Sequence, residues 1–218
     1  YYSATLWQEH LESQEYERLQ DMQNLTGHII KDSYADEEHG QEDLAQASES
    51  SKKKSKKKKS DETEIKKKKI DPADLTVLKK YKDLYHQKKD LAGWLSIEGT
   101  NINYPVMQTG KDNPDYYLHY DFEKKENNHG SLFLDARNDY VNRDTNLIIY
   151  GHNMRDGTMF GGLKSFMNKE YLDQHKKIVF DTIYEKAHYS IVAVCLSKVN
   201  YQDDEVFRYY NFINAGNK

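Results

Sequence analysis

Proton transfer and acyl transfer call for a side chain that titrates near neutrality or a strong nucleophile, which points first to histidine and cysteine. The 218-residue chain has nine histidines and one cysteine. His152 stands apart by its setting. It follows Leu147-Ile148-Ile149-Tyr150, an uninterrupted apolar run that predicts a strand covered on both faces, and then Gly151, where the backbone can bend without a Cβ clash. His152 is therefore expected at the mouth of a strand, with Tyr150 two residues earlier on the same side, placed to exchange a proton with a nucleophile brought from elsewhere. Arg155-Asp156-Gly157 reads as a turn, and the spacing of Met159, Phe160, Leu163 and Phe166 suits a short helix packing back on the sheet. His129, in Asn127-Asn128-His129-Gly130, sits in a predicted tight turn and ranks behind His152.

Cys195 is the single cysteine, which excludes an intramolecular disulfide and argues against a cysteine-based zinc site. It lies in YSIVAVCLSKV, where strand alternation puts it on one face with Ile191 and Ala193 and predicts a buried, unreactive thiol. Arg208, in DDEVFRYYNFI, falls on an amphipathic stretch that looks helical and reads as a surface arginine near Asp204 and Glu205. There is no metal-ligand spacing, phosphate-cradling glycine loop or Ser/His/Asp pattern, so no cofactor and no metal are expected.

Those residues need elements to hold them. Residues 1–30 carry a sparse helical stripe of Leu6, Trp7, Leu11, Leu19, Met22 and Leu25, which predicts one amphipathic helix docking on the domain. Residues 31–70 predict a charged, low-complexity linker, acidic at first and then, over Ser51–Lys69, dominated by lysine. The formal net charge of −4 conceals that asymmetry. The tract has almost no arginine or aromatic residue, so nucleic acid is not an expected partner. Residues 71–218 predict the folded domain. Asp71-Pro72 is a helix start, and Leu75, Leu78, Leu84 and Tyr85 mark an apolar face of a helix expected to end near Gly93. The short runs WLSI, NYPVMQ, SLFLD, LIIY, KIVFD and YSIVAVCL, separated by Gly, Asn and Asp clusters, predict a mainly β fold, a barrel or sandwich, α+β overall with the helices counted. No apolar run is long enough to cross a bilayer.

Two blocks resemble a known family. YGHNM followed by FGGL is similar to the histidine region of class B sortases, the surface cysteine transpeptidases of Gram-positive bacteria. The block Gly93–Asp139, beginning GWLSIEGTNINYPVMQ, resembles in order and spacing the amino-terminal half of their catalytic domain. The resemblance implies a sortase-like β-barrel with N-terminal helices. It also implies an activity that cleaves a C-terminal sorting signal of the NPxTN-like class and passes the acyl group to a cell-wall precursor amine. His152 matches the family histidine, which protonates the departing amine and takes a proton from the incoming one. Asn113, Leu118 and Tyr150 resemble one wall of the substrate groove, and Ser197, Asn200 and Tyr201 the far wall. The family's Thr-Leu-x-Thr-Cys pattern and later arginine do not occur here, and neither role carries over to Cys195 or Arg208.

The chain is thus expected to be a catalytic domain incomplete at its C-terminal end, acting at the outer face of the plasma membrane with its anchor absent. The lysines of Lys52–Lys69 would meet an anionic wall or membrane surface. The alternative expectation is an inactive sortase-like fragment or peptide-binding module.

Overall fold

The computed structural model describes residues 14–24, 69–196 and 209–214. The strands are β1 (Leu91–Ser96), β2 (Asn103–Met107), β3 (Leu132–Leu134), β4 (Ile149–Tyr150), β5 (Lys177–Thr182) and β6 (His188–Ser190). They form one six-stranded mixed sheet in the order β4-β3-β2-β1-β5-β6, antiparallel throughout except for the parallel β2–β3 pair. The helices are α1 (residues 14–24), α2 (Lys82–Gln87), α3 (Tyr116–His119) and α4 (Lys169–Gln174). The architecture is mainly β with short helices, as the rhythm of short apolar runs predicts.

The central strands are apolar on both faces, and this builds two cores. Trp94, Met107 and Phe133 point into one with Tyr81, Leu84, Tyr117 and Phe122; Leu95, Val106, Leu132 and Leu134 point into the other with Ile102, Met159, Phe166 and Phe180. Neighbouring residues on a strand enter different cores because successive side chains alternate across the sheet. The sheet curls: Ile149 of β4 and Tyr189 of β6, its two edge strands, line the same apolar cavity of about 440 Å³. Arg143, in the loop before β4, spans the gap by donating to the Tyr189 hydroxyl at 2.9 Å and pairing with Glu185 at 2.6 Å.

Helix α1 docks by one fully buried side chain, Leu19. Around it Tyr16 donates to the Gly130 carbonyl (2.9 Å), Gln20 to the Asn103 carbonyl (2.7 Å), and Arg18 pairs with Glu123 (2.7 Å). Leu6, Trp7, Leu11 and Leu25 of the predicted stripe, and the lysine tract up to residue 68, lie outside the described residues.

Three local expectations are corrected. The predicted helix from Asp71 to Gly93 is broken. Asp71 does cap the first turn, accepting from the Ala73 amide at 2.9 Å with Pro72 following, but the turn is 3-10 and stops at Asp74. Leu78 is drawn out to an extended conformation, where its amide reaches the Ile183 carbonyl at 2.7 Å, and only Lys82–Gln87 is α-helical. A tertiary backbone bond and core contacts of Val77 and Leu78 override the helical periodicity. Gly93 lies inside β1, where a Cβ would stand 2.2 Å from the Asp181 carbonyl oxygen of β5. Its role is close strand approach and not helix termination.

The segment after Gly157 is a 3-10 helix, Gly161–Met167, and only Phe166 and Met159 of the predicted apolar set are fully buried.

The third correction concerns Cys195, which is exposed. β6 pairs with β5 only as far as Lys177↔Ser190, and the last bond runs from the Ile191 amide to the Lys176 carbonyl. Residues preceding Lys176 belong to α4 and the turn after it, so among the described residues the chain beyond Ile191 finds no partner backbone on that side. Ile191 and Val194 still touch the core, whereas Val192 is 97% and Leu196 86% exposed. The contact period is three, not the two that a strand requires. Of the stretch DDEVFRYYNFI, Tyr209–Asn211 form a 3-10 turn, and its earlier residues, including Arg208, lie outside the described residues.

Candidate active site

His152 follows the edge strand β4, and three constraints fix its loop. Gly151 is required by crowding: a Cβ there would lie 2.3 Å from Leu132 Cδ2 and 2.9 Å from Phe160 Cδ2. The His152 carbonyl accepts from the Phe160 amide at 2.9 Å, and Asn153 and Met159 form an antiparallel bridge that closes the loop at its base. Met159 is buried with φ near 50°, a left-handed conformation that a side chain rarely adopts; its amide donates to the Tyr104 hydroxyl at 3.2 Å. The imidazole is half-buried, and its Nε2 lies 2.8 Å from the Leu118 carbonyl oxygen at the end of α3.

Beside it opens a groove of about 440 Å³ whose wall includes Leu118, Phe133, Tyr150, Gly151 and Arg137, with Lys111 and Pro114 at its rim. Leu118 and Tyr150 share this wall; His152 does not itself line the groove and adjoins it through Gly151 and through its hydrogen bond to the Leu118 carbonyl. Asn113 is exposed in the turn before α3, where its carbonyl accepts from the Thr109 hydroxyl at 2.7 Å; its neighbour Pro114 lines the groove and Asn113 does not. Ser197, Asn200 and Tyr201 lie outside the described residues.

Sequence reasoning missed the polar hub of this groove. Asp135, just past β3, is almost fully buried and accepts from Arg137 Nε (2.8 Å), Arg137 Nη2 (2.6 Å), the Arg137 amide (2.9 Å) and the Tyr150 hydroxyl (2.9 Å). The Arg137 guanidinium above all, with its amide and the Tyr150 hydroxyl, holds the Asp135 carboxyl down at about 2 against desolvation. The same pairing raises the Arg137 pKa. Arg137 Nη2 also donates to the Tyr210 carbonyl at 2.6 Å, tying the segment 209–214 to the groove. A signal was present: a run of Asp-Ala-Arg-Asn immediately after the buried SLFL strand puts charge at a strand end. What it could not show is that Phe133 pairs with Tyr150 across β3–β4, which delivers the tyrosine hydroxyl to the carboxylate.

His129 belongs to the expected turn, with its amide donating to Asn127 Oδ1 at 2.7 Å and Gly130 at φ near 58°. It faces Asp156 at 3.3 Å in a separate polar cavity of about 420 Å³ that also includes Tyr16 and Tyr104. Cys195 does not line the groove. Among the described residues no group of three His, Cys, Asp or Glu side chains could hold a metal ion.

A curled sheet with a histidine after an edge strand and an adjoining groove has a known counterpart. Residues 95–211 match the model of the sortase domain, more than half of the chain, and the chain belongs to the sortase family. Within the family it sits with class B. Sortase B of Staphylococcus aureus is 42% identical over 106 residues, covering 49% of this chain and 43% of that relative; sortase B of Listeria monocytogenes is 44% identical over 101 residues, covering 46% and 40%. The chain spans less than half the length of these curated relatives. Among solved structures, a Staphylococcus aureus sortase B–substrate complex superposes with a TM-score of 0.58 at 26% identity, covering 84% of this chain and 64% of that one. Sortase B from B. anthracis in complex with AAEK1 gives 0.50 at 32% identity, covering 59% and 62%.

Proposed function

We propose that the protein is a class B sortase-type cysteine transpeptidase that cleaves a C-terminal sorting signal and joins surface proteins to the cell wall. Family membership supports the reaction class. The observation that carries the site is the juxtaposition of His152 with a groove walled by Leu118 and Tyr150. In this chemistry a thiolate attacks the peptide carbonyl, the amine leaves with a proton, and an acceptor amine then resolves the thioester. His152 is the proton donor and acceptor. Leu118 and Tyr150 contact the sorting peptide, while Asn113, Ser197 and Tyr201 are assigned to the groove by resemblance alone. Cys195 has no assigned role: it is exposed on the run leaving β6.

The proposed partners are the sorting-signal peptide and a cell-wall precursor amine, met at the outer face of the plasma membrane of a Gram-positive bacterium. No helix among the described residues is long and apolar enough to cross a membrane. Lys52–Lys69 are proposed to rest on an anionic wall or membrane surface; replacing these lysines by serine should abolish salt-sensitive retention on anionic vesicles, and unchanged retention would eliminate that contact.

The test of the groove is nuclear magnetic resonance of the 218-residue chain titrated with an NPxTN-type peptide. Shifts concentrated at Leu118, Tyr150 and Gly151, weakened by Tyr150→Ala, are expected. Shifts confined to the apolar cavity between β4 and β6, or none at millimolar peptide, would refute the assignment.

A further inference from the structure

The contact between His152 and α3 has a chemical consequence for the ring. α3 ends at His119, and the last carbonyls of any helix find no intrahelical amide, so the Leu118 oxygen is open to an outside donor. Nε2 of His152 fills that position at 2.8 Å. A carbonyl oxygen has lone pairs and no proton, so Nε2 must be the donor in this bond. A neutral imidazole carries one ring proton; once Nε2 holds it, the lone pair resides on Nδ1.

The carbonyl itself is held from behind. Gly130 packs so closely that a Cβ on it would lie 2.6 Å from the Leu118 oxygen and 2.5 Å from the Tyr117 oxygen, and its φ near 58° is one that glycine adopts freely. The Ser131 amide donates to the Tyr117 carbonyl at 2.8 Å, locking this turn against α3. On its other side the Gly130 carbonyl accepts from the Tyr16 hydroxyl of α1 at 2.9 Å, and the Tyr16 ring stands edge-on to Tyr104 with centroids 5.1 Å apart. A continuous stack therefore runs from α1 through Gly130 and the Leu118 carbonyl to the imidazole.

We infer that the Leu118 carbonyl fixes His152 as the Nε2–H tautomer, that Nδ1 is the nitrogen through which the transferred proton passes, and that Gly130 and Tyr16 are positioning residues for this arrangement. The role in proton transfer rests on the proposed sortase chemistry; the tautomer does not. The proton balance closes on one atom. The attacking thiolate forms a C–S bond to the peptide carbonyl carbon; as the peptide C–N bond breaks, the imidazolium gives its Nδ1 proton to the departing amine, and Nε2–H stays on Leu118. The incoming amine then forms the new C–N bond and loses one proton to Nδ1 as the C–S bond breaks, which restores the imidazolium and returns the thiolate.

The experiment is long-range ¹H–¹⁵N correlation on the uniformly labelled 218-residue chain, with His152→Gln used to assign the ring signals. The neutral ring is expected to show a protonated Nε2 and an unprotonated Nδ1, with an Nε2 proton that exchanges with water at least about tenfold more slowly than that of exposed His188 and couples across the hydrogen bond to the Leu118 carbonyl carbon. Tyr16→Phe removes only the clamping hydroxyl and should speed that exchange severalfold. Gly130→Ala should erase the coupling. An Nδ1–H tautomer, or an Nε2 proton exchanging as fast as that of His188, overturns the inference, as does a Tyr16→Phe chain with unchanged exchange for the part assigned to α1. Because the readout needs neither substrate nor thiol, it can fail while sorting-peptide binding holds, and hold while that binding fails.

Discussion

Replacing Asp135 by asparagine tests whether the groove is organised around a buried anion. The carboxylate has a side-chain exposure of 9% and a folded-state pKa of about 2, below the 3.8 of an unperturbed aspartate, with the Arg137 guanidinium as the leading cause. At 1.36 kcal/mol for each tenfold change in acidity, and with solvent screening taken into account, this depression contributes on the order of 2 kcal/mol to folding at neutral pH. The sign follows from proton counting. Between the two pKa values the unfolded chain binds more protons than the folded one, so stability rises with pH; the contribution is complete above about pH 4 and is lost as pH falls towards 2. The substituted amide would keep the shape and lose the charge, leaving Arg137 and Tyr150 without their shared anionic acceptor. Urea unfolding of both proteins followed by tryptophan fluorescence should show a deficit of about 2 kcal/mol for the variant at pH 7, equivalent to a melting temperature lower by roughly 4–8 °C. Comparing variant with wild type cancels the other carboxylates, and the difference should shrink towards zero at about pH 2. A deficit that is absent at pH 7, or that persists undiminished at about pH 2, would refute the assignment of that stability to the Asp135 charge.

Other expectations are simpler to state. Gly151→Ala forces a methyl into the Leu132 and Phe160 side chains and should cost about 1–3 kcal/mol in the same unfolding assay; an unchanged midpoint would mean that the loop before His152 is not tightly seated. Leu19→Ala removes the one fully buried side chain of α1 and should cost about 2–5 kcal/mol, with faster hydrogen exchange at the Gly130 turn. Cys195 should react stoichiometrically with Ellman's reagent in the native chain, and Cys195→Ser should shift stability by less than about 0.5 kcal/mol; a thiol that reacts only in denaturant would show that it is covered after all.

How much of this was legible in the sequence depended on whether a signal was local. The strands β1 to β3 are apolar on both faces, so WLSI, NYPVM and SLFL announced themselves without knowledge of their neighbours. His152 was legible for the same reason, because an apolar run followed by glycine marks a strand mouth whatever lies beside it. The reason for the glycine was not legible: crowding by Leu132 and Phe160 is a contact between distant segments. Leu75 and Leu78 have helical spacing, yet the Ile183 carbonyl on the far side of the sequence claims the Leu78 amide.

The run YSIVAVCL is the sharper case, because its local signal is sound and still misleads. Alternation predicts a strand only if a partner strand is long enough to pair with all of it. Here the partner β5 begins at Lys177, and the chain before it turns back into α4, which Asn168 caps through the Glu170 and Tyr171 amides. The β5–β6 pairing therefore stops at Lys177↔Ser190, just past the end of α4 at Gln174, a limit that no residue next to the cysteine announces. The same dependence governs the site. His152 is proposed to act through one nitrogen because α3, thirty-four positions earlier, ends where it leaves a carbonyl open, and no pattern around the histidine itself could have supplied that.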